Sequence, residues 1–71
     1  MKYERIKELR LENHLTQKEL SEKLNITERK YSFIERGEQV LQTNIILKLV
    51  KYYNVSVDYL LGLTDNPKPY K

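Results

Sequence analysis

The sequence predicts an all-α domain of five short helices, and three observations carry that reading. No stretch alternates apolar and polar residues as a half-buried strand does, whereas apolar residues recur at helical spacing in successive windows. A local signature of helix stop and restart also occurs three times, as His14-Leu15-Thr16, Asn25-Ile26-Thr27 and Asn54-Val55-Ser56. Each has a residue that tolerates the left-handed conformation, then an aliphatic residue, then a hydroxyl suited to cap the next helix.

The first helix carries Ile6 and Leu9 as an i, i+3 stripe among Lys2, Arg5, Lys7, Glu8 and Glu12, and stops near Asn13 and His14. The aliphatic residue before each cap should pack on the residue five positions later as a hydrophobic staple. Those pairs are Leu15 with Leu20, Ile26 with Tyr31 and Val55 with Leu60. Thr16 also has Glu19 three residues on, which completes a capping box. Helices are therefore expected to start at Gln17, Glu28 and Val57.

The second helix, Gln17 to Leu24, buries Leu20 and Leu24. The third, Glu28 to about Arg36, buries Tyr31 and Ile34 and ends on Gly37 in the left-handed conformation. After a loop over 38–42, Thr43 is the expected cap of a fourth helix with Ile46, Leu49, Val50 and Tyr53 on one stripe. Ile45 and Leu47 widen that stripe, which predicts a helix central to the core. The fifth helix, Val57 to about Leu61, has Asp58 in its first turn, where a carboxylate favours the helix dipole. Residues 1–63 are read as one domain and 64–71, with Pro67 and Pro69, as an irregular tail.

Composition narrows the function classes. Seventy-one residues make one small domain, and 39% hydrophobic residues with two Gly and two Pro suit a folded chain. The absence of Cys excludes a disulfide scaffold and a thiolate metal site. No apolar run approaches the roughly 20 residues of a membrane span, and no signal peptide precedes the first helix, so a cytoplasmic protein without membrane association is expected. A net charge of +3 and a pI near 9.2 suit a polyanionic partner without demanding one.

No catalytic or metal site is expected. His14 is the single histidine, at a helix end with no nucleophile or carboxylate at usable spacing. There is no metal-ligand cluster and no glycine-rich phosphate loop, so neither metal nor cofactor is expected. The glutamates stand at helical intervals beside Lys and Arg, the pattern of a solvated face, and the six Tyr suit core and interface packing.

The third helix carries the chemistry. At 100° per residue Tyr31 and Ile34 share one side, flanked by Thr27 and Glu35, while Arg29, Phe33 and Arg36 share the other with Ser32 at its edge and Glu28 at the exposed start. The DNA major groove admits one helix and is read by bidentate donors and apolar contacts. Arg can bridge the two acceptors of guanine, Ser adapts, and Phe meets a thymine methyl. Glu28 either accepts from a cytosine amine or repels misplaced phosphates. The plainer reading is a solvated helix face. Phe33 argues against it, because an aromatic ring exposed between two Arg is uncommon on an idle face, although it also suits a protein contact or a ring folded onto the loop. The open N-terminus of the second helix, with Gln17, suits a backbone phosphate.

The chain resembles the Cro/phage-repressor class of helix-turn-helix regulators, the XRE family, from Arg5 to Leu61. The resemblance runs through Arg5-Ile6-Lys7-Glu8-Leu9-Arg10, Leu15-Thr16-Gln17-Lys18-Glu19-Leu20, Leu24-Asn25-Ile26-Thr27, Ile34-Glu35-Arg36-Gly37 and Val55-Ser56-Val57-Asp58-Tyr59-Leu60-Leu61. It implies a lambda-repressor-like DNA-binding domain whose second and third helices form the helix-turn-helix. It further implies that the helix starting at Glu28 enters the major groove and that Gln17 contacts phosphate or a base edge. A homodimer would then bind a two-fold symmetric operator with half-sites roughly 34 Å apart. Gln17, Lys18, Glu28, Arg29, Lys30, Ser32, Phe33 and Arg36 are the expected DNA-binding residues, and Thr16, Gln42 and Thr43 the candidate phosphate contacts. The resemblance also implies a structural ion pair between Arg10 and Glu35.

The sequence departs from the family pattern in three places. His14, Asn25 and Asn54 stand where Gly is frequent, Ser21 stands where Ala is common, and the loop Glu38-Gln39-Val40-Leu41-Gln42 has none of the cations often found there. Leu15 to Gly37 holds five Lys/Arg against four Glu, a net of +1, so moderate affinity and a shallow salt dependence are expected. Leu60, Leu61, Leu63 and Tyr70 are the candidate dimer interface. The alternative function is a protein-interaction module on the same fold, an antitoxin or a repressor antagonist. With no second domain in 71 residues, no small-molecule ligand is expected, and control would come through protein level, a partner or proteolysis.

Overall fold

Each helix among the described residues ends in the same way. The computed structural model describes residues 3–68, which form α1 (Glu4–Glu12), α2 (Gln17–Leu24), α3 (Glu28–Glu35), α4 (Thr43–Tyr53) and α5 (Val57–Leu60), with no strand among the described residues. His14, Asn25, Gly37, Asn54 and Gly62 each follow a helix with φ between 56° and 78°. The next residue then donates its N–H back across the last turn: Leu15 to Arg10 O, Ile26 to Ser21 O, Glu38 to Phe33 O, Val55 to Val50 O and Leu63 to Asp58 O. These bonds satisfy carbonyls that a helix end leaves open and reverse the chain within two residues. His14 adopts this conformation as well as the two Asn do.

The caps follow. Thr16 Oγ1 accepts from Glu19 N–H at 3.0 Å while Glu19 Oε1 accepts from Thr16 N–H at 2.9 Å, so the expected capping box is complete. Thr27 Oγ1 accepts from Lys30 N–H and Ser56 Oγ from Tyr59 N–H. The fourth helix differs from expectation by one residue. Gln42, not Thr43, is its N-cap, because the Gln42 carbonyl takes the Ile45 and Ile46 N–H groups, and no side chain caps it.

Ile6, Leu9, Leu20, Leu24, Tyr31, Ile34, Ile45, Leu49, Val55 and Leu60 form one core drawn from all five helices. Burying each such side chain contributes on the order of 1.5–3 kcal/mol, which a chain this short needs. α2 packs on α3 and α4, and α1 closes the core against α3 and α5. Lys48 Nζ donates to Leu24 O and adds a polar tie between α4 and the end of α2. On α4, Ile45 and Leu49 reach the centre while Leu47 is 58% exposed, so the apolar stripe is narrower than the residue types suggest.

Leu60 corrects the expected dimer surface. It closes α5 with its side chain fully buried in the core, and has no surface left to offer a second chain. Leu61 is half-buried, Leu63 is 74% exposed, and Tyr70 lies outside the described residues. The segment after α5 is irregular yet tied down. Pro67 O accepts from Ser56 N–H at 3.1 Å, and Arg5 donates to Tyr59 O and Asp65 Oδ1 while its guanidinium lies 4.1 Å from the Tyr59 ring centre.

Candidate nucleic-acid interface

α3 has two chemically opposed sides. Its inner side is Tyr31 and Ile34, fully buried, with Glu35 beside them at 4% exposure. Glu35 is held by a fork: Arg10 Nε donates to Oε2 at 2.9 Å and Arg10 Nη2 to Oε1 at 3.0 Å. Arg10 Nη1 turns to Leu15 O at 2.9 Å, at the entry to α2. One guanidinium thus fastens α1, the start of α2 and the end of α3. Bidentate, charge-assisted contacts of this kind fix orientation as well as distance.

The same carboxylate takes a third donor, Gln17 Nε2 at 3.2 Å. The Gln17 amide, expected on phosphate or a base edge, is turned toward Glu35 here. What α2 offers outward at its start are the Gln17 and Lys18 backbone N–H groups, which have no intrahelical acceptor. Thr16 keeps its hydroxyl in the capping box. Gln42 and Thr43 are exposed at the start of α4.

Burial alone would raise the Glu35 pKa, but hydrogen bonds from Arg10 and Gln17 outweigh it and hold the carboxyl below its ordinary range. The hydrogen bond with Glu35 likewise pushes the Arg10 guanidinium up. The buried Tyr31 hydroxyl has no hydrogen-bond partner among the described residues, and burial followed by interaction with Glu35 raises its pKa. Burial raises Tyr53 in the same way.

The outer side presents Glu28 and Arg29 exposed, Lys30, Ser32 and Phe33 half-buried, and Arg36 exposed at the C-cap. The Phe33 ring centre lies 5.5 Å from the Arg29 guanidinium and 4.9 Å from that of Arg36, so the ring supports both cations. Arg36 Nε also meets Glu38 Oε2 at 3.1 Å. That contact was not expected from the sequence; its signal is Gly37, whose left-handed turn brings the next residue back beside the helix end. Arg5, whose cation lies over Tyr59, was read as a polar flank and as part of the family motif, without that partner.

Among the described residues no group of His, Cys, Asp or Glu could hold a metal, and no helix is long and apolar enough to cross a membrane. Two capped helices joined by a left-handed turn, with a cationic aromatic strip on the outside of the second, are what the chain presents. The helix-turn-helix family model HTH_3 matches residues 6–60. The chain belongs to that family. Among its relatives are proteins named as HTH-type transcriptional regulators. The chain is 49% identical over 64 residues to the HTH-type transcriptional regulator ImmR of Bacillus subtilis strain 168, covering 90% of this chain and 50% of ImmR. It is 38% identical over 66 residues to YobD of the same strain, an uncharacterized HTH-type transcriptional regulator, covering 93% and 59% respectively. The SinR protein/SinI protein complex contains a chain that superposes with a TM-score of 0.74 at 34% identity, over 86% of this chain and 60% of that one. This helix-turn-helix chain thus spans about half to three-fifths of each relative.

Proposed function

We propose that the chain is a sequence-specific, double-stranded DNA-binding transcriptional regulator of the cytoplasm that places α3 in the major groove. The observation that carries this reading is the Arg29–Phe33–Arg36 strip on the face of α3 opposite the Arg10–Glu35 fork. The fork holds the helix from behind, so the backbone that carries the strip needs no further ordering on binding. Arg29 and Arg36 supply guanidiniums for guanine edges or phosphates; Ser32, Phe33 and Lys30 line the same surface. Glu28 stands at the exposed start of the helix, and Lys18 with the α2 amides faces the backbone. Gln42 and Thr43 supply neutral donors on the far side of the loop.

The chain binds as a homodimer on a two-fold symmetric operator, with half-sites about one turn, roughly 34 Å, apart. Leu61 and Leu63 are the remaining described candidates for the contact. The test is selection of bound duplexes from a random pool, followed by footprinting for half-site spacing. Equal affinity for the selected and a scrambled duplex at physiological salt would sink the reading. Arg29→Ala should lower discrimination at one base-pair position by roughly 1–3 kcal/mol, measured by competition against single-base variants of the site.

A protein-interaction role on the same fold is the second reading. It is favoured by the exposed Leu63 and by the presence of the SinR relative in a complex with another protein. Binding to a protein partner with no duplex selected from the random pool would decide for it.

A further inference from the structure

We propose that Glu38 competes with DNA phosphate for Arg36, which makes Arg36 a switched contact whose availability sets affinity and salt dependence. The inference rests on the DNA-binding reading above and assigns Glu38 a part in it. Glu38 is placed by the backbone. Gly37 at φ 78° reverses the chain, and the Glu38 N–H donates to Phe33 O at 2.8 Å, which fixes Glu38 beside the last turn of α3. From there Glu38 Oε2 reaches Arg36 Nε at 3.1 Å, while Phe33 supports the same guanidinium at 4.9 Å. Both charged side chains remain more than half exposed, at 53% and 56%, so water and salt keep the pair weak and a phosphate can displace the carboxylate.

Arg29 provides the contrast on the same ring. Among the described residues it is paired with no carboxylate, so it is a standing cation, while Arg36 has a carboxylate in contact. A phosphate taken by Arg36 displaces Glu38 or shares the guanidinium with it, and either way the carboxylate is left near the phosphates. The loop beyond contributes no cation to offset that cost.

The experiment is a double-mutant cycle on the selected operator, with wild type, Glu38→Gln, Arg36→Gln and the double variant titrated at several salt concentrations. Glu38→Gln should tighten binding about two- to fivefold, the reach of an exposed ion pair. It should also steepen the log K against log salt slope by about 0.9, one phosphate's worth of released counterions. In the Arg36→Gln background the same substitution should give less than half of that gain. An equal or larger gain there would overturn the proposal, because Glu38 would then act only by general repulsion. No gain in either background overturns it too, while specific binding by the wild type leaves the wider reading standing. Failure of all four proteins to distinguish operator from scrambled duplex overturns both. Unchanged thermal melting of the four confirms that the cycle compares folded proteins.

Discussion

Glu35 and Glu38 stand on either side of Gly37, and each holds an arginine at close to the same distance, 2.9 Å and 3.1 Å. Their surroundings differ completely. The side chains of the inner pair are 11% and 4% exposed, those of the outer pair 53% and 56%. The inner carboxylate takes a forked Arg10 and the Gln17 amide, while the outer one has a single contact with Arg36 in water. Identical chemistry therefore gives a fixed joint on one side and a labile contact on the other. Burial decides which, because desolvated charges must find partners and exposed ones are satisfied by water.

The largest expected effect breaks the inner pair. Glu35→Ala leaves the Arg10 charge buried without its carboxylate and should cost about 3–5 kcal/mol in urea unfolding. Replacing both partners by apolar residues, Arg10→Met with Glu35→Leu, should cost much less than either single change and in some packings nothing, since no buried charge then remains. A double variant less stable than Glu35→Ala would show that the pair itself, rather than its completeness, holds the fold.

Acid sharpens the same contrast. The folded pKa of Glu35 lies below its unfolded value of about 4.3, so its contribution is fully present well above pH 4.3 and is lost as pH falls through the folded value. Glu19, lowered by the hydrogen bond from the Thr16 backbone, loses its share in the same window. Stability measured by urea unfolding from pH 6 down to pH 2 should therefore fall less steeply in the Arg10→Met/Glu35→Leu variant, which has lost the Glu35 part. The smallest effect belongs to the outer pair: Glu38→Gln should move stability by less than about 1 kcal/mol in the same urea assay, whatever it does to DNA affinity.

Local devices were legible in the chain itself. The restarts at Gln17, Glu28 and Val57 and the left-handed residues ahead of them depend on groups no more than five positions apart, so neighbouring residue types suffice to specify them. The inward Tyr31 and Ile34 and the outward Arg29 and Phe33 follow from the turn of one helix. The cap of α4 was less legible because no hydroxyl is used there. Gln42 caps through its carbonyl alone, which its side chain does not advertise.

By itself, then, the sequence determined where α2, α3 and α5 begin and which side of α2 and α3 is apolar, because capping, periodicity and turn chemistry act over one or two turns. Tertiary structure decided what lies between distant residues. It buried Leu60 while leaving Leu63 in water, turned Gln17 to a carboxylate eighteen positions away, and carried Arg5 to Tyr59 and Asp65 across almost the whole chain. Those outcomes depend on how five short helices close around a shared core, and residues that meet only after closure carry no mark of it in their local sequence.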